Sequence, residues 1–270
     1  MALSADARPP DQGGSLLRLL QGRRLEGFEK SFKMVRGGLL ADRFLAGIHK
    51  TGISPGALFS LCDQMGMPER YKPALEAHAE GANAFHFGYE ANGARALYKV
   101  YLEYASRLRD GRQLEGSQPV LLHLAYKWDV ADPNMATVAR YECLPDLPMS
   151  GILDSLARLY ADPQHHKAHG AVRAILALSS GRAAEPPMYL EVSEENNPRT
   201  SFDIKLHDSA ICIGEIGPLL MPVAEHMGIS TVLLESTLET LKDCPLGHLS
   251  GGLNREGREF LTVYYPAEAP

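Results

Sequence analysis

The chain has 270 residues, of which 45% are hydrophobic and 22% are charged, and its formal net charge is −6. This composition is that of a globular protein, and the length suits one large domain or two small ones. A nucleic-acid binder usually carries a basic excess, so the negative charge argues against that class. No apolar run is long enough to span a bilayer, and residues 1–14 lack the apolar core of a signal peptide. We therefore expect a cytoplasmic protein that binds neither nucleic acid nor membrane, with a disordered lead over residues 1–14.

Residues 15–80 are predicted to form a helical N-terminal region. Apolar residues recur at helical spacing from Leu16 to Leu20 and again over residues 28–35. Ser54 and Pro55 are typical of a helix start, with serine as the N-cap and proline at the first helical position. This region contains no catalytic motif.

Four β-hairpins are predicted over residues 85–265. The clearest spans residues 85–104, because Asn92-Gly93 is the strongest short signal for a hairpin turn. The other three pair residues 118–128 with 137–144, 188–193 with 200–207, and 246–251 with 259–265. Helix pairs are predicted after the second and third hairpins. The pattern indicates an α+β protein in which repeated ββαα units share one antiparallel sheet.

Side chains in these strands alternate between polar and apolar, so each strand presents one polar face. We assigned these faces by the parity of the residue number. The polar faces then carry His86, Glu90, Lys99, Tyr101, Glu103, His123, Lys127, Arg140, Glu142, Tyr189, Asp203, Lys205, His248 and Tyr264. The opposite faces are rich in aliphatic and aromatic residues, which would pack against the helices.

Two architectures fit this alternation. In the first, an open sheet is covered by helices on one face and is wet on the other. In the second, the sheet curls into a barrel with helices outside, and the polar residues line its interior. The polar faces mix histidine and tyrosine with charges of both signs, which favours the barrel, since enclosed charges must be paired or must bind something.

A barrel of antiparallel strands inside a ring of helices resembles the ABBA prenyltransferases, soluble enzymes that prenylate aromatic and peptide acceptors. The segment Tyr98-Lys99-Val100-Tyr101 is similar to the strand-borne Lys-x-Tyr of that family, and residues 261–265 are similar to its aromatic terminal strand. Members usually have five repeats, whereas four hairpins are predicted here. The resemblance covers about residues 85–265.

The resemblance implies the transfer of a prenyl group from a prenyl diphosphate to an aromatic or peptide acceptor inside the barrel. It implies that lysine and arginine hold the diphosphate and that tyrosines shield the allylic cation by cation–π attraction. An acidic residue would act on the acceptor. The implied anion-binding residues are Lys99, Lys127, Arg140 and Lys205, the shielding residues are Tyr101, Tyr189 and Tyr264, and the catalytic candidates are Glu90, Glu103 and His123. We expect no cofactor, with Mg²⁺ as the alternative.

Two other functions are compatible with the same residues. Imidazole and carboxylate side chains on neighbouring strands, namely His86, Glu90, His123 and Glu142, could hold a metal ion in a metal-dependent enzyme. An open sheet could instead bind a protein partner through an exposed edge strand, without catalysis.

Overall fold

Helices and strands alternate through the residues that the computed structural model describes, 11–93, 95–111 and 118–270. The α-helices in these residues are α1 (Gln12–Leu20), α2 (Pro55–Gln64), α3 (Lys72–Ala79), α4 (Ala105–Gly111), α5 (Met149–Leu159), α6 (His166–Ser180), α7 (Ile213–Met227) and α8 (Thr231–Leu241). The strands are β1 (Gly27–Val35), β2 (Gly38–Leu40), β3 (Arg43–His49), β4 (Ala84–Asn92), β5 (Arg95–Glu103), β6 (Val120–Asp129), β7 (Ala136–Cys143), β8 (Tyr189–Glu194), β9 (Asn197–Lys205), β10 (His248–Leu253) and β11 (Glu259–Pro266). Most of the predicted disordered lead lies outside the described residues, and residues 12–14 belong to α1.

The sheet closes on itself. Ten strands follow one another in the order β1, β3, β4, β5, β6, β7, β8, β9, β10 and β11, each antiparallel to the next, while the short β2 extends from β1. The barrel closes because β1 also pairs with β11, from Glu29 opposite Pro266 to Val35 opposite Phe260. The predicted α+β barrel is therefore confirmed, and the open-sheet alternative is wrong.

The prediction of a wholly helical region over residues 15–80 is wrong for residues 27–49. These residues form a fifth hairpin, β1 with β3, whose register runs from Gly27 opposite Gly47 to Lys30 opposite Phe44. Strand β1 alternates with period two: Phe32 and Met34 are fully buried on its outer face, while Ser31 lies on the inner face. Five hairpins thus build the barrel.

Helices cover the outer face of the barrel in two apolar layers. Helices α1, α2 and α3 pack against β1 and β3–β6, and helices α5–α8 pack against β8–β11 and β1. Trp128 is buried in the first layer, where its indole N–H donates a hydrogen bond to the carbonyl of Met65 at 3.1 Å. Within the described residues, no helix combines the length and the apolar character needed to cross a bilayer.

Candidate functional site

One half of the barrel interior is open and the other half is filled. The open half is a cavity of about 1190 Å³, which is the size of a small-molecule site. Residues at the ends of the strands surround its mouth, such as His49 of β3, Glu103 of β5 and Lys205 of β9. The cavity is therefore entered from a single end of the strands that line it.

Ion pairs fill the deeper half. The Glu90 carboxylate of β4 contacts the Arg43 guanidinium of β3 at 2.5 Å and the Lys33 ammonium of β1 at 3.7 Å, and it accepts a hydrogen bond from Lys99 of β5. Burial alone would raise the pKa of Glu90, but the three cations lower it well below its ordinary value. A carboxylate held in this way stays ionised and closes the bottom of the cavity.

A second ion pair in the same half joins Lys127 of β6 to Glu194 of β8, with 3.6 Å between ammonium nitrogen and carboxylate oxygen. The guanidinium of Arg255 contacts the other oxygen of Glu194 at 3.1 Å. Glu90, Lys99 and Lys127 therefore all face the barrel interior, but they belong to this plug and do not line the cavity.

Three side chains from neighbouring strands converge on one wall of the cavity. His86 of β4 donates a hydrogen bond from Nε2 to Oε2 of Glu103 of β5 at 2.6 Å. Glu103 lies directly opposite His123 of β6, whose ring centroid is 6.1 Å from that of His86. The hydrogen bond from His86 lowers the pKa of Glu103 to about 2, and burial lowers the pKa of His123 to about 3. At neutral pH the wall carries an ionised carboxylate and a neutral imidazole.

Charged groups on the facing wall form a hydrogen-bonded chain. His248 of β10 lies between Asp203 of β9, 2.9 Å from Nδ1, and Glu29 of β1, 3.2 Å from Nε2. Burial disfavours the imidazolium, but the two carboxylates outweigh it and raise the pKa of His248 above its ordinary value. The ammonium of Lys205 lies 3.5 Å from Asp203. Burial disfavours this charge too, but Asp203 and Glu29 raise the pKa of Lys205, so the carboxylates favour the charged form of both groups.

Aromatic and apolar side chains line the rest of the cavity. The ring of Tyr101 lies 5.7 Å from that of Tyr141, and Tyr264 lies against His248. Next to Tyr141, residues Leu122 and Met188 belong to an apolar cluster of β6, β7 and β8. The cavity thus combines an apolar wall with two polar ones.

The charge of the cavity is unusual for an anion site. Among its described lining residues, Lys205 is the only lysine or arginine. The acidic lining residues are Glu26, Glu29, Glu103, Glu185, Asp203 and Asp208. The described side chains therefore give the cavity an excess of negative charge.

Among the predicted site residues, Glu103, Tyr101, His123, Lys205 and Tyr264 line the cavity. Three predicted positions are wrong. Arg140 lies on the outer face of β7, where its side chain is 46% exposed, and Tyr189 is buried on the outer face of β8, among helix-packing residues. Glu142, predicted as a metal ligand, also faces outward.

The parity rule fails on β7 and β8 because part of their outer face is wet. Three polar residues there are not buried, namely Arg140, Glu142 and Glu191. On these two strands the polar residues therefore face the solvent outside the barrel and not its interior. Inward residues of these strands such as Tyr141 and Val192, which lie opposite each other, are aromatic or apolar, and Glu194 is the charged exception. Sequence reasoning also missed Glu29, Lys33 and Arg43, because their hairpin was taken for helix.

Comparison with known proteins gives a match in structure only. No protein-family model matches the chain, and no curated protein matches its sequence. The crystal structure of 5-dimethylallyltryptophan synthase from Streptomyces coelicolor matches with a TM-score of 0.60 and 16% identity, covering 90% of this chain and 81% of that one.

Two further solved structures share the barrel. The 6-dimethylallyltryptophan synthase from Micromonospora olivasterospora, in complex with DMASPP and Trp, has a TM-score of 0.59 and 14% identity, over 90% of this chain and 82% of that one. NotF in complex with brevianamide F and DMSPP has a TM-score of 0.58 and 12% identity, over 99% and 97%. The chain therefore has the fold of the ABBA prenyltransferases, as the sequence resemblance implied.

Proposed function

We propose that this protein transfers a prenyl group from a prenyl diphosphate to an aromatic or aromatic-containing peptide acceptor inside the barrel. The observation that carries the proposal is a cavity of about 1190 Å³ that is lined by tyrosines and closed at its base, in a barrel that also forms the enzymes named above. Since one fold can host many functions, the features of the cavity must support this reaction in their own right.

The cavity offers partners for each part of a prenyl diphosphate. The apolar cluster of Leu122 and Met188 suits the hydrocarbon chain. Lys205 and the His248 imidazolium are the cations that suit phosphate oxygens. When the carbon–oxygen bond breaks, its electron pair leaves with the diphosphate, and the allylic cation that remains is stabilised by the ring faces of Tyr101, Tyr141 and Tyr264.

An aromatic carbon of the acceptor then forms the new carbon–carbon bond and loses its proton. Glu103 and His123 are weak bases, because their pKa values are lowered to about 2 and about 3. The released diphosphate is a stronger base, since phosphate groups titrate near about pH 6. In this proposal the proton therefore leaves with the diphosphate, and Glu103 and His123 position the reacting groups.

The test is an incubation of the protein with dimethylallyl or geranyl diphosphate and with tryptophan or a tryptophan-containing cyclic dipeptide. We expect an acceptor whose mass has increased by the prenyl group, detected by liquid chromatography and mass spectrometry. The Tyr101→Leu variant serves as the comparison and should form less product. Failure to bind either diphosphate in calorimetry, with and without added divalent metal, would overturn the proposal.

A further inference from the structure

We infer that His86, Glu103 and His123 form a binding site for a divalent transition-metal ion, of which Zn²⁺ is the representative, with open coordination positions that face the cavity. Each residue offers one ligand atom, and these three atoms all lie within 4.8 Å of one another. Zinc bound tetrahedrally at about 2.0–2.1 Å places its ligand atoms about 3.4 Å apart. Small side-chain adjustments therefore suffice to bind the ion.

The strands hold the three side chains at this spot. Glu103 of β5 lies directly opposite His123 of β6 and diagonally opposite His86 of β4. Gly47 of β3 pairs with His86, and a β-carbon at Gly47 would lie 3.0 Å from Nδ1 of His86. Because Gly47 has no side chain, β3 leaves space for the imidazole of His86.

Two observations indicate that the cluster is incomplete by itself. The Nδ1 atom of His123 is buried and has no hydrogen-bond partner among the described residues, and a buried polar atom of this kind calls for a water or an ion. The hydrogen bond between His86 and Glu103 places one proton between two groups that are both metal ligands. A metal ion can replace that proton and bring His123 into the same coordination sphere.

The ligand types select the metal. Two imidazoles and one carboxylate suit zinc and other first-row transition metals, whereas Mg²⁺ and Ca²⁺ prefer oxygen ligands. All three residues line the cavity. A site with three protein ligands beside a cavity keeps a coordination position for an exogenous ligand, as catalytic zinc sites do.

The open position fits an anionic oxygen, and this step rests on the proposed function. The described lining has six acidic residues against two basic groups, Lys205 and His248. A diphosphate placed there meets net repulsion unless another cation is present. The ion at His86, Glu103 and His123 supplies that charge, so we infer that the diphosphate oxygen binds to the metal.

The first experiment uses the full chain without an affinity tag, freed of metal with a chelator. Calorimetry with Zn²⁺ alone should give one site per chain, and Co²⁺ should give the absorption spectrum of nitrogen and oxygen coordination. Glu103→Gln, His86→Ala and His123→Ala should each weaken Zn²⁺ binding at least tenfold, since loss of outer-shell partners alone costs about 10–100-fold. His207→Ala, which removes another imidazole of the cavity lining, is the matched control and should bind Zn²⁺ as tightly as the wild type.

Absence of stoichiometric Zn²⁺ binding to the wild type would overturn the site, as would equal affinity in the folded Glu103→Gln variant, which preserves the size of the side chain. The second experiment measures binding of dimethylallyl diphosphate with and without Zn²⁺. At least tenfold tighter binding with Zn²⁺ supports the metal–diphosphate contact. Equal affinity for dimethylallyl diphosphate with and without Zn²⁺ overturns the metal–diphosphate contact but not the metal site. If the diphosphate binds neither with nor without Zn²⁺, the proposed function is overturned, and the Zn²⁺ titration still decides the metal site.

Discussion

Tyr264 stacks on His248, with ring centroids 3.8 Å apart and ring planes inclined by 13°. One face of the tyrosine is therefore covered by an imidazolium that Asp203 and Glu29 hold. Only the other face and the ring edge remain for a bound molecule. Tyr101 packs beside Tyr141 and His123 and has no such charged stacking partner among its described ring contacts, so it is better placed to shield an allylic cation.

The His248 charge predicts a pH dependence of stability. Because the pKa of His248 is raised in the folded state, its stabilising effect is fully present below the ordinary value of 6.5 and is lost as the pH rises through the folded-state pKa. Burial would raise the pKa of Glu29, but His248 lowers it to about 2. The stabilisation that the Glu29 carboxylate contributes is therefore present above pH 4.5 and is lost as the pH falls towards 2. The free energy of unfolding of the wild type should exceed that of His248→Gln most between about pH 4.5 and 6.5.

Urea denaturation of both proteins across pH 4 to 10 measures this difference. We expect the gap between wild type and His248→Gln to narrow above pH 6.5. A gap that stays constant or widens towards alkaline pH would show that His248 is not held as an imidazolium.

Replacing Lys205 should weaken binding of the diphosphate. Lys205→Met removes the only lysine or arginine among the described residues that line the cavity. A charge-assisted hydrogen bond contributes about 1.5–3 kcal/mol, so the dissociation constant for dimethylallyl diphosphate should rise roughly ten- to a hundredfold. Arg140→Ala is the matched control, because this side chain lies outside the barrel, and it should leave the constant unchanged in the same calorimetric titration.

Substitutions of Tyr101 and Tyr189 test which of the two tyrosines contacts the reacting group and which packs in the hydrophobic core. Tyr101→Leu removes an aromatic face from the cavity, and a desolvated cation–π contact contributes about 2 kcal/mol. We expect kcat for prenyl transfer to fall by about tenfold or more. Tyr189→Leu removes a ring that packs against the helices, so it should lower the melting temperature but leave kcat of the folded protein unaltered. The reverse pattern in steady-state kinetics would contradict the assignment of inner and outer faces.

Lys99 should contribute to stability. Its ammonium binds Glu90 in the plug, and the two side chains are 12% and 8% exposed. Lys99→Met leaves Glu90 with Arg43 and Lys33 and should cost about 1.5–3 kcal/mol of the free energy of unfolding. Lys167→Met on the exposed face of α6 should change it by less than about 0.5 kcal/mol. An unchanged urea midpoint in Lys99→Met would mean that the plug does not stabilise the barrel.

Much of the barrel could be predicted from local patterns. Asn92-Gly93 identified the hairpin of β4 and β5, and parity placed Lys99, Tyr101 and Lys205 on the inner face, because the outer faces of their strands are apolar. Two kinds of information were beyond these patterns. A short amphipathic run such as residues 28–35 was ambiguous between helix and strand. The residues around Arg140 also gave no sign that the outer face of β7 is exposed to solvent at this point.

The contacts of the site were less predictable than its strands. Parity placed Glu90 and Glu103 on the same face, but it could not show that Glu90 meets Arg43 and Lys33 from another hairpin. That pairing follows from the register of β3 against β4, in which Arg43 lies directly opposite Glu90, and β3 belongs to the hairpin that the sequence patterns did not identify as strands. The register of β4, β5 and β6 brings His86, Glu103 and His123 together in the same way.

Closure through β1 and β11 determines when the protein can complete its fold. Phe32 pairs with Val263, so β1 cannot complete its pairing until β11, more than 200 residues later in the chain, has been synthesised. Until then both strands present unpaired backbone edges, which are templates for aggregation. Contacts between such distant parts of a chain slow folding. Refolding should therefore be slow and sensitive to protein concentration.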